Sequence, residues 1–193
     1  MIVTPPAPES DPRVAAKYAE DLHADGFVYR HTQAMQIDPE VHDLFDAITG
    51  SLARSLGIRT YELATLGAAR ALGSAHCLLA HGRRSLREEV LDEDALAALA
   101  RGDDSGLSTA DAAVVRFAER LSTDAAAMTE ADSQSLRDVG FSDREIVDIA
   151  LAAGARNFFS RTLQALAVPV DDVPGLSPSL VDALLSSTRV SGG

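Results

Sequence analysis

Tyr61-Glu62-Leu63-Ala64-Thr65-Leu66-Gly67-Ala68-Ala69-Arg70-Ala71-Leu72-Gly73-Ser74-Ala75-His76-Cys77-Leu78-Leu79-Ala80-His81 is the stretch whose reading decides the fold of this chain. Thr60 is placed to cap a helix that carries Glu62, Leu63 and Leu66 and runs to Gly73. Ser74 opens a second helix, with Cys77 and His81 inside it. With Ser74 as N-cap, Cys77 falls at the third helical position, where free backbone N–H groups and the helix dipole favour a thiolate. His81 comes four residues later and so shares a face with the sulfur, while His76 adjoins it in sequence. Glu62 can meet them if the two helices fold back around Gly73, which would set a carboxylate and an imidazole beside a thiol.

Each of these residues also has an ordinary role. A free cysteine is usually a small buried hydrophobe, a single histidine is usually a hydrogen-bonded boundary residue, and a glutamate in a first turn offsets the helix dipole. The combination, rather than any one member, marks a candidate site.

Outward from this stretch the helix signals recur. Asp38 before Pro39 is a cap followed by proline at the first helical position, and Val41, Leu44, Phe45, Ile48 and Leu52 mark one face. Ser108-Thr109-Ala110-Asp111 resembles a capping box ahead of Val114, Phe117 and Leu121; Thr129 starts a shorter helix that Gly140 stops. Ser142-Asp143-Arg144-Glu145 is a full capping box, and its apolar stripe continues through Ile146, Ile149, Ala150 and Ala153 toward Val168 and Pro169. Ser177 with Pro178 opens a last short helix. No strand alternation or fixed-period repeat competes with this pattern, so the expected fold class is all-α.

Length allows one domain with a sizeable core. Residues 1–12 hold four of the eight prolines and are expected to form a mobile or extended arm; a helical domain over 13–188 and a loose tail at 189–193 complete the division. The chain is 46% apolar but only 5% aromatic, so Ala, Leu and Val must fill the interior. A net charge of -12 disfavours nucleic acid and anionic membrane surfaces. Arg83, Arg84 and Arg87, beside Glu88 and Glu89, read as a solvated face with internal ion pairs. The N-terminal stretch lacks the basic start and apolar run of a signal peptide, and no segment reaches the roughly 20 apolar residues of a membrane helix. One cysteine excludes an intrachain disulfide, which leaves a cytoplasmic location as the expectation. Of the five histidines, only His76 and His81 lie close to Cys77 in sequence, and neither a metal nor another cofactor is expected.

The spacing of Glu62, Ser74, Cys77 and His81 resembles the pattern Glu, then Cys-x-x-Cys-x-x-x-His, of the carboxymuconolactone decarboxylase and alkylhydroperoxidase D group. Asp38-Pro39-Glu40 upstream, and Gly140-Phe141-Ser142 through Asn157-Phe158-Phe159-Ser160-Arg161 downstream, extend the resemblance to about residues 25–168. It implies a helical array in which an antiparallel helix pair carries the motif, and a homo-oligomer, trimer or hexamer. By this resemblance Cys77 is the peroxide-facing cysteine, His81 the motif histidine, Glu62 the proton-relay glutamate and His76 a histidine found next to that cysteine. Ser74 replaces the first cysteine, so a disulfide cycle is closed to this chain. The resemblance therefore implies a one-cysteine, thiol-dependent peroxidase that reduces hydroperoxides and is recycled by an external thiol or redoxin, with Ser74 bonding the sulfur or capping the helix. Two other readings stay open. One is a cofactor-free lactone enzyme using Glu62 and a histidine, with Arg70, Arg156 and Arg161 as candidate carboxylate binders; the other is an inactive, redox-sensing member of the group.

Overall fold

A computed structural model describes residues 1–186 and 188; the tail expected at 189–193 lies outside the described residues. Among the described residues ten α-helices succeed one another: α1 (Pro12–Asp25), α2 (Arg30–Met35), α3 (Pro39–Leu56), α4 (Ile58–Ala71), α5 (Ala75–Arg87), α6 (Glu93–Ala100), α7 (Thr109–Asp124), α8 (Glu130–Arg137), α9 (Asp143–Ala165) and α10 (Pro178–Ser186). No strand occurs among the described residues, and none of their helices is long and apolar enough to cross a membrane.

Local capping sets most of these boundaries. Asp38 accepts the Val41 N–H, Ser142 and Glu145 exchange bonds across the start of α9, and Ser108 caps α7 by accepting from Asp111. Thr60 caps nothing: α4 begins at Ile58 after Gly57, whose φ of 75° is left-handed, and Thr60 lies inside the first turn. Helices α1, α2 and α6 were not expected individually, although Asp11 before Pro12 caps α1 by accepting the Arg13 N–H and Asp92 caps α6 by accepting the Ala95 N–H; α2 has no side-chain cap.

The arm at 1–12 has only one short 3₁₀ turn, Pro8–Ser10, and its Pro12 already belongs to α1. It is tied to the body at two points along its length, by Ile2 N–H donating to the Leu166 carbonyl at 3.1 Å and by Tyr18 Oη donating to the Pro6 carbonyl at 3.1 Å.

Helix α4 is the axis of the fold, buried along most of its length and packed by α3, α5, α7 and α9. Its end is a Schellman turn: Gly73 adopts φ 60°, its N–H bonds the Arg70 carbonyl and Ser74 N–H bonds the Ala69 carbonyl. The chain thereby reverses, so that Glu62 near the start of α4 meets His81 in the second half of α5. Where α4 crosses α7, Gly67 lets the backbones touch; a Cβ there would lie 2.8 Å from the Val115 carbonyl oxygen. Gly67→Ala is therefore expected to cost about 1–3 kcal/mol through overpacking, read as a lowered urea midpoint. An unchanged midpoint would mean that α4 and α7 can separate without loss.

The α3 stripe is not core. Leu52 is buried, but Val41, Leu44 and Ile48 are 41–59% exposed, because α3 flanks α9 at the surface and beside it Leu151 and Phe158 are exposed as well.

Candidate active site

Cys77 occupies the third position of α5, and its side chain is 2% exposed. Two groups from α9 hold the sulfur. Ser160 Oγ lies 3.2 Å from Sγ, and Arg156 Nη1 donates to it from 3.6 Å. Arg156 and Ser160 are four residues apart and so share one face of α9. Ser74 occupies the N-cap of α5 as expected, but it neither caps with its side chain nor bonds the sulfur; its buried Oγ has no partner among the described residues. Ser160 supplies the contact to sulfur that was expected of Ser74.

One turn after Cys77, His81 Nδ1 sits 2.8 Å from Glu62 Oε2. Glu62 is fully buried, and Arg84 Nε approaches its other oxygen at 3.3 Å. Because α4 starts at Ile58, Glu62 is past the first turn, and its place is explained by His81 rather than by the dipole. Burial alone would raise the Glu62 carboxyl, but His81, with Arg84 and Arg156 nearby, outweighs this and holds it below the ordinary value of 4.5. Burial and the Arg156 cation together push His81 below 6.5 against the pull of Glu62. At neutral pH the pair is accordingly a carboxylate and a neutral imidazole, with Nδ1–H donated to Glu62 and the Nε2 lone pair left free. His76 turns elsewhere, its Nε2–H donating to the Pro169 carbonyl at 3.1 Å.

Cys77, His76, His81 and Arg156 open on a cavity of about 220 Å³. His31, Thr32, His42, Phe45, Tyr61 and Phe159 complete its inner wall. Two of these histidines, His31 and His42, come from elements distant in sequence and were not expected here. His31 stacks on Tyr29 with ring centroids 4.6 Å apart, and His42 Nδ1 accepts from Gln36 Nε2 at 2.8 Å. No group of three or more His, Cys, Asp or Glu side chains is arranged to hold a metal ion among the described residues. Of the three arginines proposed as carboxylate binders, only Arg156 reaches the cavity: Arg70 pairs with Glu119, and Arg161 bonds the Ser122 carbonyl at 3.4 Å.

These histidines make the fold sensitive to acid. His31, His42 and His81 are all held below 6.5, in each case chiefly by burial. Between that folded value and 6.5 the unfolded chain binds more protons, so stability falls as pH drops below about 6.5, by up to about 1.4 kcal/mol per pH unit for each histidine. Glu62, held below 4.5, adds a further loss as pH falls through its folded value. Urea midpoints measured from pH 7 to pH 5 are expected to decline; a flat profile would contradict neutral burial.

Residues 39–120 match the model of the carboxymuconolactone decarboxylase family. That match takes in 82 of the 193 residues, and the fold of the whole chain is alkylhydroperoxidase D-like. The chain is similar in structure to the alkylhydroperoxidase AhpD core of an uncharacterized peroxidase-related protein from Ralstonia eutropha, with TM-score 0.77, 19% identity and coverage of 97% of this chain and 96% of the other. An uncharacterized peroxidase-related protein from Silicibacter sp. matches with TM-score 0.77 and 23% identity over 91% of this chain and 99% of its own. A protein of unknown function from Agrobacterium tumefaciens, named as a candidate antioxidant defence protein AhpD, matches with TM-score 0.62 and 25% identity over 72% of this chain and 95% of its own. No curated protein matches the chain at a significant level.

Proposed function

We propose that this protein is a thiol-dependent peroxidase of one-cysteine type, reducing hydroperoxides at Cys77. The observation that carries the reading is Arg156. Arg156 is buried, 5% exposed, and among the described residues no carboxylate pairs with its guanidinium; the Cys77 sulfur lies 3.6 Å from Nη1. Burial opposes this cation, but negative charge on Cys77, with Tyr61 and Glu62 nearby, more than offsets it. A buried charge without a counter-charge costs several kcal/mol, and a thiolate at Cys77 removes that cost.

The chemistry is set by the wall of the cavity. His81 Nε2 takes the thiol proton, and the sulfur attacks the distal oxygen of the hydroperoxide. An S–O bond forms as the O–O bond breaks, and the alkoxide leaves with the proton returned by His81, giving an alcohol and a Cys77 sulfenic acid. Glu62 stabilises the imidazolium between the two transfers, and Ser160 fixes the sulfur. An outside thiol reduces the sulfenic acid, so the reaction belongs to a reducing compartment such as the cytoplasm. The peroxidase-related names of the similar structures point the same way.

The test is to add one equivalent of hydroperoxide and trap Cys77 with a dione reagent, reading the adduct by mass. Full trapping supports the reading, and oxidation that no thiol reverses would favour a sensor. A thiol that stays unoxidised overturns the peroxidase and leaves the lactone enzyme to be assayed.

We also propose that the chain assembles as a homo-oligomer, a trimer or hexamer, through the exposed face of α3 and α9. Val41, Leu44, Ile48, Leu151 and Phe158 border an apolar groove of about 400 Å³ on that face, of a kind that a monomer rarely leaves in water. Light scattering at micromolar concentration is expected to show the oligomer, and Ile48→Asp with Leu151→Asp to reduce it to monomer. A monomeric parent protein would reject the assembly.

A further inference from the structure

The mouth of the Cys77 cavity reverses the charge of the chain. The protein as a whole carries -12, yet Arg83, Arg84, Arg87 and Arg156 line this cavity against the carboxylates of Asp21 and Asp25, with Glu62 behind the wall, while Lys17, also in the lining, is taken up by Glu20 and Asp46 at 3.0 and 2.6 Å. Arg83, Arg84 and Arg87 are not simply a solvated face with its own ion pairs. Arg87 does pair with Glu88 at 3.3 Å, but Arg83 and Arg87 also share the single carboxylate of Asp25, at 2.8 and 3.3 Å. The side chains of Arg84 and Arg87 remain 39% and 49% exposed, so their heads meet whatever enters.

Below them lies a second, independent feature. Arg156 Nε is buried, has no hydrogen-bond partner among the described residues, and belongs to a side chain in the cavity wall. A buried N–H of a cation without an acceptor costs about 1–3 kcal/mol or more, which an entering anionic oxygen or sulfur would recover. Positive charge thus runs from the rim to the sulfur, and Cys77, 2% exposed, lies at the inner end. That recess is reached by the end of a small molecule more readily than by the broad face of a folded redoxin.

We infer that the cavity is selective for small anionic thiols, of the carboxylate-bearing kind, which act as the reductant of Cys77. The inference rests on the peroxidase reading and names its second substrate. The incoming thiolate attacks the sulfenic sulfur, forming a mixed disulfide as hydroxide leaves and is protonated to water. A second thiol attacks the outer sulfur of that disulfide, releasing Cys77 as thiolate and the small molecule as its own disulfide. The sum is one hydroperoxide and two thiols giving alcohol, water and disulfide.

Two measurements test it. In the first, the resting thiol of the full chain is modified by anionic sulfonatoethyl, neutral methyl and cationic trimethylammonioethyl methanethiosulfonates, each rate being referred to the same reagent on an unstructured cysteine peptide. The anionic reagent is expected to exceed the cationic one by about 10-fold in about 0.01 M salt and to lose most of that advantage in about 1 M salt. Arg87→Gln, at the rim, is expected to reduce the advantage by about 2-fold to 3-fold. In the second, peroxide-oxidised protein is recycled by mercaptosuccinate, cysteamine or a thioredoxin, with mercaptosuccinate expected to be fastest. Equal rates for the two charged reagents, or recycling by thioredoxin alone, would overturn the inference while leaving the peroxidase standing. If no reagent reaches Cys77 in the folded protein, both readings fall; if the anionic reagent is preferred but peroxide leaves Cys77 untouched, the entry selectivity is supported and the peroxidase reading alone fails.

Discussion

Cys77→Ser is expected to bring hydroperoxide consumption down to the uncatalysed rate while leaving the fold intact. Serine is close to cysteine in size, and the site offers it a neighbour it can use, since Ser160 Oγ lies 3.2 Å from the sulfur position. Its hydroxyl is far less acidic and less nucleophilic than a thiol, so the S–O bond-forming step has no substitute. The chain contains one cysteine, so no other sulfur can take over. The measurement is peroxide loss under excess thiol, with circular dichroism as the control for folding. Retention of turnover by Cys77→Ser would show that the thiol is incidental and would transfer attention to the Glu62–His81 pair as an acid–base site.

Arg156→Met is expected to separate activity from stability. At 3.6 Å, an effective dielectric near 20 gives the attraction between guanidinium and thiolate a size of about 5 kcal/mol, part of which is returned when the surroundings respond. The peroxide reaction is therefore expected to slow by about 10²-fold to 10³-fold, since each 1.4 kcal/mol is a factor of about ten. Stability should change in the other direction or not at all, because an apolar side chain of similar length replaces a buried cation that pairs with no carboxylate among the described residues. The ring of Phe159, over which Arg156 is held with its guanidinium carbon 5.5 Å from the ring centre, would then pack against methionine. Second-order rate constants for Cys77 oxidation and urea midpoints, taken on the same preparation, decide the matter. Equal losses in both would assign Arg156 to the core and remove the chief support for a thiolate.

Much of the helical framework is legible in the chain because caps are local. Asp38-Pro39, Ser142 with Glu145, and Ser177 before Pro178 each announce a helix start within four residues, and α3, α9 and α10 begin there. Where a cap is missing the reading slips: α4 starts on Gly57 without a side-chain cap, and Thr60 drew attention to the wrong residue. Helix α2 has no side-chain cap, whereas α1 and α6 carried readable ones in Asp11-Pro12 and Asp92 that went unread. The stripe of Val41, Leu44 and Ile48 is readable as a helical face, but periodicity shows only that a face exists and is silent on whether the same chain covers it.

The sequence by itself determined that the chain is helical, that its one sulfur sits in the first turn of α5, and that His81 shares a face with it, because all three depend on spacing within a single helix. The reversal at Gly73 was also within reach, since a left-handed turn after α4 is a local event. Tertiary structure alone decided which groups touch the sulfur. Arg156 and Ser160 lie 79 and 83 residues from Cys77, and His31 arrives from a distant helix to line the same cavity. Their i, i+4 spacing on α9 put Arg156 and Ser160 on one face of that helix, but only the crossing of α9 with α4 and the return of α5 aim that face inward. The same packing turned Ser74 away from its expected task and gave the contact to Ser160. A local pattern specifies a helix and its faces; the charge on Arg156 acquires its meaning only when several helices close around it and exclude water, because desolvation is a property of the assembled core.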